Sequence, residues 1–399
     1  MSAQPCRGCP WNGGKGVVSS PERRHGAILG VVGEGPAEWE TREGRCFAGP
    51  SGWEMDTTLG RVGLSRGEVA VTNAHECWRP DRASAASLAR AVEACRGRVE
   101  EWFDAVQPKR VLLMGGSALR SVAPGFVSGA TADGLMRHRG SLWLAHEVGA
   151  ANTATTGQKG VLSRSVTGVM ATIHPAAIIG RERLAGTAAM GYRLVPAIDL
   201  KRLMGEAFRA PIAWRIETPP WAREPFVFDV ETDSDGRVNW VGVQRFSREP
   251  ETVWCGPAAT MLPWLEVAGR WPVTKVGHNI AGFDLFKLEE EGVRMEGPFL
   301  DTMVLGGTCE GDMARGLYYQ AAYYGGHMRP FWKELAGGAK EGYEVKRRAA
   351  LRRAWEETGL LPTMWSELDW EAAYNALDVD STRLVALAQV DRARKEGWM

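Results

Sequence analysis

The chain has 399 residues, of which 44% are hydrophobic and 24% are charged, and its formal net charge is zero. This composition excludes a mostly disordered chain, and the length exceeds the ~100–200 residues of an ordinary domain, so we expect two domains. Because no apolar run approaches the ~20 residues of a membrane span and the N-terminus lacks a signal-peptide pattern, we expect a cytoplasmic protein that does not enter membranes.

Apolar runs alternate with helical patterns in the first half of the chain. The predicted buried strands are residues 27–33, 69–73, 110–115, 141–145 and 168–173. The predicted helices are residues 50–62, 85–106 and 188–205. This alternation predicts a parallel sheet with helices on both faces. The same half is basic, since residues 1–210 hold 26 Lys and Arg against 19 Asp and Glu, which fits a polyanionic partner without identifying it.

Polar residues and glycines follow four of the predicted strands. They are Glu34, Asn73, the pair Gly115 and Gly116, and His174. Ligands of such sheets bind beyond the carboxyl ends of the strands, so we expect these residues to share one rim. For any one of them, a capping or turn role is the simpler interpretation.

Four cysteines in the first half have a spacing that is compatible with a metal centre. Cys6 and Cys9 form a Cys-x2-Cys pair before the first strand, Cys77 follows Asn73, and Cys95 lies within the next helix. Thiolates are ligands of both structural zinc and iron-sulfur clusters, so the spacing leaves the metal open. Buried thiols without a metal are the alternative.

A set of ordered motifs in residues 1–205 carries a family resemblance. The motifs are GEGPAEWETREGRCFAGPSG at 33–52, VTNAHECWRP at 71–80, LLMGGSAL at 112–119 and ATIHPAAII at 171–179, together with Cys95. They resemble the family 4 uracil-DNA glycosylases, which carry a 4Fe-4S cluster, and the opening CRGCP is similar to versions in phage proteins. The resemblance implies an α/β/α glycosylase domain over residues 1–205, a bacterial or phage-infected cell, and a cluster held by Cys6, Cys9, Cys77 and Cys95.

The resemblance also implies roles for the rim residues. Uracil would stack on Phe47, and the amide of Asn73 would read its Watson–Crick edge. Glu40 would lie near C5 and exclude thymine; without the resemblance, a solvated loop carboxylate would be the simpler interpretation. His174 would donate to uracil O2, while Glu34 and the Gly35 backbone would border the sugar and the attacking water.

Two residues depart from the family pattern. Ala37 stands where Gly is usual, and Cys46 stands where Pro is usual. Both side chains are small enough to fit, although each could change loop shape and substrate range. Cys46 is otherwise interpreted as an ordinary thiol. Some relatives that bond covalently to the abasic sugar have a basic, His-containing insertion after Cys77. This sequence has no such insertion there, so hydrolytic release of the base is expected.

Residues 206–224 are rich in proline and predict a semi-rigid linker, and residues 225–399 predict a second domain. Within it, FVFDVETD places Asp229 and Glu231 on one face of a strand. Asp284 begins an amphipathic helix, and Tyr374 and Asp378 lie four residues apart on another helix. Carboxylates gathered in this way are the ligands that two Mg²⁺ or Mn²⁺ ions require for phosphodiester hydrolysis.

These acidic motifs resemble the tyrosine-bearing DEDD 3′–5′ exonucleases, and the detail of residues 299–382 is similar to proofreading domains of phage family A DNA polymerases. The resemblance implies an RNase H-like fold, metal ligands at Asp229, Glu231, Asp284 and Asp378, and a water-orienting Tyr374. The sequence thus predicts a DNA enzyme that both excises uracil and trims 3′ ends. The alternative is the front part, or an accessory DNA-binding module, of a polymerase in which one site is inert.

Overall fold

We analysed a computed structural model of the chain. It describes residues 8–11, 19–79, 83–127, 135–158, 160–185, 190–205, 213–249, 251–309, 315–324 and 367–398. The chain divides into two compact units at about residue 207. Among the described residues, no helix combines the length and the apolar character needed to cross a membrane.

The first unit is built on a five-stranded sheet. Its strands are β1 (Leu29–Gly33), β2 (Val69–Asn73), β3 (Arg110–Met114), β4 (Leu142–Trp143) and β5 (Gly168–Thr172). Their order across the sheet is β2-β1-β3-β5-β4. All pairings are parallel except that of β4 with β5, so the expectation of a parallel sheet is wrong at this edge. Strands β1, β2 and β5 are buried along their whole length, as expected for strands covered on both faces.

Helices connect these strands. They are α1 (Glu38–Glu43), α2 (Pro50–Arg61), α3 (Ala85–Val106), α4 (Gly116–Val122), α5 (Leu135–His138), α6 (Ala145–Thr156), α7 (Pro175–Ala185) and α8 (Met190–Met204). Helix α3 begins where its N-cap Ser84 accepts a hydrogen bond from Ser87 N, at 3.1 Å, which satisfies one of the unpaired amides of the first turn. The bounds of α2, α3 and α8 agree with the predicted helices to within two residues.

The sheet brings four strand ends to one edge. Gly33 lies opposite Asn73 in the β1–β2 register, and Met114 lies opposite Thr172 in the β3–β5 register. Because these strands are parallel, the residues that follow them emerge on the same side. The predicted rim of polar residues is therefore present in the fold.

The second unit contains a mixed six-stranded sheet. Its strands are β6 (Trp214–Ile216), β7 (Phe226–Thr232), β8 (Val238–Arg245), β9 (Val253–Pro257), β10 (Lys275–Gly277) and β11 (Phe299–Asp301). Their order is β11-β10-β7-β8-β9-β6, with β7, β8 and β9 antiparallel and the remaining pairings parallel. The predicted linker is thus wrong over Trp214–Ile216, which pair with β9 through the strand-forming sequence WRI. Residues 206–212 of that linker lie outside the described residues.

Helices of the second unit are α9 (Ala258–Ala268), α10 (Asp284–Glu290), α11 (Thr302–Cys309), α12 (Leu317–Tyr324) and α13 (Glu367–Lys395). Two of the apolar cores formed by the described residues contain side chains of β7. One includes Phe226, Phe228, Met261 and Leu265. The other joins Val227 of β7 to residues of α13, and so fixes that helix next to the strand that carries the first two predicted carboxylates.

Candidate functional site

Phe47 and Asn73 meet over Gly33 at the rim of the first sheet. A Cβ on Gly33 would collide with the Phe47 ring and lie 2.5 Å from Asn73 Oδ1, so both side chains approach the backbone where only glycine leaves room. Phe47 also stacks on His174, with ring centroids 5.7 Å apart and planes 29° from parallel. Three residues from separate segments therefore form one cluster.

The backbone of Phe47 is strained. Its φ is 51°, in the left-handed region that a bulky side chain rarely adopts. Such conformations persist where the surrounding structure imposes them, and they are concentrated at functional sites. This backbone conformation places the buried ring of Phe47 against His174 and Gly33.

A substitution at Gly33 tests this close packing. Gly33→Ala is expected to lower the free energy of unfolding by about 1–3 kcal/mol, because the new methyl group displaces Phe47 and Asn73. Gly60→Ala, in α2, is the matched control: its Cβ meets nothing within 4 Å, and the change should be neutral or stabilise by up to ~1 kcal/mol. Denaturant unfolding measures both. Equal stability of the two variants would contradict the packing described above.

His174 is held in one tautomer. Its Nδ1 accepts a hydrogen bond from Ala176 N at 3.1 Å, and a backbone amide can only donate. Burial lowers the pKa of His174, although the charges of Glu34 and Glu40 act in the opposite direction. The neutral ring therefore carries its proton on Nε2, which is available as a hydrogen-bond donor.

The carboxylate of Glu34 lies beside the turn that follows β3. A Cβ on Gly115 would be 2.6 Å from Glu34 Cδ, and Gly115 has a φ of 98°, so glycine is required here for two reasons. Ser117 N, in the first turn of α4, points to Glu34 Oε1 at 3.3 Å. The backbone of β3 and α4 thus positions an acid close to His174.

Glu40 is buried, although a solvated carboxylate was the simpler interpretation without the resemblance. Its two oxygens accept hydrogen bonds from Ala37 N at 2.9 Å and from Ala48 N at 3.1 Å. These bonds tie the start of α1 to the loop that presents Phe47. The contact of Glu40 with C5 of a pyrimidine stays a prediction.

His75 belongs to this site and was not singled out from the sequence. Its ring occupies the space that a side chain on Gly35 would fill. Its Nδ1 lies 3.0 Å from the carbonyl of Cys77, and its ring meets Trp11 edge-on with centroids 5.0 Å apart. Burial lowers the pKa of His75 to about 4, so the ring is neutral near pH 7. The only sequence signal was a polar residue two positions after Asn73.

Three of the four predicted cluster ligands lie in the described residues. Cys9 and Cys77 belong to one apolar cluster with Trp11 and Ala91, and Cys95 lies on α3 one turn after Ala91. None of the described cysteines forms a disulfide. Soft thiolates shielded by apolar side chains are a suitable donor set for an iron-sulfur cluster. Cys6 lies outside the described residues.

Three predicted metal ligands of the second unit converge. Carboxylate oxygens of Asp229, Glu231 and Asp378 lie within 4.8 Å of one another. Alternation along β7 directs the first two to one face, and α13 supplies the third. Like charges this close repel, so a divalent cation would stabilise the group.

Asp284, the fourth predicted ligand, is not among the three carboxylates that converge. Its Oδ1 accepts a hydrogen bond from Val230 N at 3.1 Å, between the two acids of β7. Burial, with a smaller contribution from the charges of Asp301 and Asp378, raises the pKa of Asp284 to about 7. Asp301 itself accepts hydrogen bonds from Asn279 N at 2.9 Å and from Met303 N at 2.8 Å.

Tyr374 and Asn375 complete the acidic site. Burial raises the pKa of Tyr374, as do the charges of Asp378, Glu231 and Asp229 and a hydrogen bond with Asp378. Asn375 was not predicted; its Nδ2 donates to Asp229 Oδ2 at 2.9 Å, and its side chain fills the space over Gly242. Asn375 therefore orients the carboxylate of Asp229, a predicted metal ligand.

A comparison with known protein families matches most of the first unit. The model of the Uracil DNA glycosylase superfamily matches residues 26–190, which include β1 to β5 and the rim cluster. The resemblance expected from the motifs is confirmed at this level.

The more particular similarity is to type-4 uracil-DNA glycosylases. The chain is 32% identical to the one from Pyrobaculum aerophilum over 85 residues. These residues make up 21% of this chain and 42% of the relative. It is 27% identical over 114 residues to the one from Thermotoga maritima, covering 29% of this chain and 58% of the relative. The relative from Sulfurisphaera tokodaii is 30% identical over 90 residues, which make up 22% of this chain and 40% of the relative. The chain thus spans about half the length of the curated relatives that it matches.

Proposed function

We propose that the first unit is a uracil-DNA glycosylase. The observation that carries this proposal is the cluster of an aromatic face, an amide and a neutral histidine donor, formed by Phe47, Asn73 and His174. The superfamily match over the same residues supports it.

The side chains suit the steps of this reaction. A uracil extruded from DNA loses stacking worth a few kcal/mol, and Phe47 can replace part of it. Asn73 can accept from N3–H and donate to O4. As the glycosidic bond breaks, negative charge develops on the base, and the Nε2–H of His174 can stabilise it at O2. Glu34 can hold a water molecule near the sugar.

A 4Fe-4S cluster bound by Cys6, Cys9, Cys77 and Cys95 belongs to the same proposal. Such a cluster would serve as a structural crosslink between the N-terminal segment, the loop after β2 and α3. His75 bonds to the carbonyl of Cys77 and packs on Gly35, so it connects this region to the rim.

The test is release of uracil from a labelled oligonucleotide that carries one uracil. Incubation followed by alkali should cut the strand at that position, because alkali cleaves abasic sites. An identical strand with thymine is the control. A purified, brown-coloured protein that leaves the uracil strand intact would refute the proposal.

For the second unit we propose a metal-dependent 3′–5′ exonuclease. The observation that carries this proposal is the group of three convergent carboxylates, together with Asp284, which bonds to the backbone of β7 between two of them. Support also comes from the mixed sheet, in which antiparallel strands β7 to β9 are extended by parallel strands, as expected for an RNase H-like domain. Bound Mg²⁺ or Mn²⁺ would activate water and stabilise the leaving oxygen. Tyr374, held by Asp378, would orient that water.

A 5′-labelled single strand tests the nuclease. With Mg²⁺ it should shorten progressively from the 3′ end, and EDTA should stop the reaction. An unchanged strand under the same conditions would favour the alternative, an accessory module of a DNA polymerase in which the acidic site is inert. Uracil release is measured separately, so the two proposals fail independently.

A further inference from the structure

The thiol of Cys46 lies between two buried polar side chains. The thiol donates a hydrogen bond to Ser19 Oγ, with 3.9 Å between sulfur and oxygen. The same sulfur accepts a hydrogen bond from Asn73 Nδ2 at 3.5 Å. Cys46 and Ser19 are almost completely buried, with 0% and 1% exposure. The three side chains therefore form a short hydrogen-bonded chain that ends at the amide of the rim.

The direction of these bonds fixes the orientation of the amide. Burial raises the pKa of the Cys46 thiol to about 12, so the sulfur keeps its proton and directs it to Ser19. The lone pairs of the sulfur are left to accept from Asn73, and an N–H group is the partner they require. Asn73 Nδ2 consequently faces Cys46, while Oδ1 lies over Gly33 beside Phe47.

That orientation decides which pyrimidine fits. Uracil presents an N3–H donor and an O4 acceptor, which match Oδ1 and the second hydrogen of Nδ2. Cytosine presents an N3 acceptor and an N4 donor, which match the same amide only after it has rotated by 180°. A site with fixed polar groups rejects the wrong partner because buried groups are left unpaired.

We propose that Cys46 is a positioning residue that selects uracil over cytosine by preventing rotation of the Asn73 amide. The inference rests on the proposed glycosylase function and assigns a role to a residue first interpreted as an ordinary thiol. It does not require Cys46 to touch the base.

Three substitutions at one position separate the hydrogen bond from packing. Cys46→Ser keeps an acceptor, whereas Cys46→Val and Cys46→Ala do not. We expect the inhibition constant of free uracil to rise roughly 3- to 10-fold in the Val and Ala variants, the effect of one neutral hydrogen bond, and to stay within about 2-fold of wild type in the Ser variant. Cytosine release, relative to uracil release from matched single strands, should rise in the Val and Ala variants alone.

Two further variants complete the experiment. Ser19→Ala frees the thiol proton and should shift the inhibition constant in the same direction by a smaller factor. Cys255→Ala removes another fully buried thiol, in the second unit, and should leave uracil binding unchanged. Thermal melts identify any variant that does not fold. If Cys46→Ser or Cys46→Val does not fold, the comparison of Ser19→Ala with wild type takes the place of the comparison between those two variants.

The outcomes distinguish this inference from the proposed function. The positioning role is wrong if Cys46→Val and Cys46→Ser bind uracil equally well, or if selectivity for uracil over cytosine follows the size of the side chain at position 46. The glycosylase proposal stands in either case. If the wild-type protein neither binds nor releases uracil, the proposed function itself fails.

Discussion

Replacing His174 with alanine is expected to slow uracil release by about 10²–10³-fold, because in the proposed glycosylase site it removes the donor to the departing base. This factor is typical of a single preorganised donor to developing negative charge, about 2.7–4 kcal/mol. Single-turnover release from a uracil-containing strand measures it. His25→Ala is the control, since His25 is exposed beside Ala105, near the opposite end of β1. A wild-type rate in His174→Ala would exclude this residue as the donor.

The tautomer of His174 adds a prediction about pH. Burial lowers the pKa of the ring below its usual value of 6.5, so the neutral form that donates from Nε2 already dominates at pH 6.5. Protonation of Nδ1, which would break the bond from Ala176, requires a lower pH. The rate of uracil release should therefore show no loss centred near pH 6.5 as the pH falls from 8 to 6. A sigmoidal fall with a midpoint there would contradict the tautomer assignment.

The rim could be predicted because strand ends are readable from sequence. Predicted apolar runs end at Gly33, Asn73 and Ile173, and parallel pairing brings such ends together whatever the loops do. The acidic site was readable for a similar reason, since the two-residue spacing of Asp229 and Glu231 fixes their common face.

Contacts between distant side chains could not be predicted in this way. Asn73 and Cys46 are 27 residues apart, and Asn375 reaches Asp229 over 146 residues. Asp199 of α8 accepts from Thr172 at 2.7 Å and from Arg139 at 2.8 Å, and so braces the end of β5 next to His174. Each of these contacts depends on packing, which sets the relative positions of whole elements and leaves no local periodicity.

The β6 strand shows how local patterns can mislead. The several prolines in residues 206–224 predicted a linker, yet Trp214–Ile216 pair with β9. A three-residue strand at a sheet edge needs only a short run of strand-forming residues, and proline is tolerated just outside it. The prolines therefore did not reveal the first strand of the second unit.

Asp229→Asn is expected to reduce Mg²⁺-dependent shortening of 3′ ends by at least ~10²-fold while leaving uracil release unchanged. The substitution removes one negative charge from a group whose oxygens lie within 4.8 Å of one another, and metal affinity depends on that charge. Gel analysis of a 5′-labelled strand that contains uracil follows both reactions in one sample. Loss of both activities in this variant would contradict two separate sites.

Asn375→Ala should give an intermediate effect, about 10–100-fold, because a residue that orients a metal ligand typically contributes this much. Asn375 holds Asp229 Oδ2 at 2.9 Å, and without it the carboxylate can rotate away from Glu231 and Asp378. Raising the Mg²⁺ concentration should restore part of the rate in Asn375→Ala but not in Asp229→Asn, since only the first keeps all the proposed metal ligands. Asp391→Asn, on the same helix but in an exposed ion pair with Arg248, should behave as wild type. If Asn375→Ala and Asp391→Asn have the same rate, the hydrogen bond to Asp229 does not position the ligand.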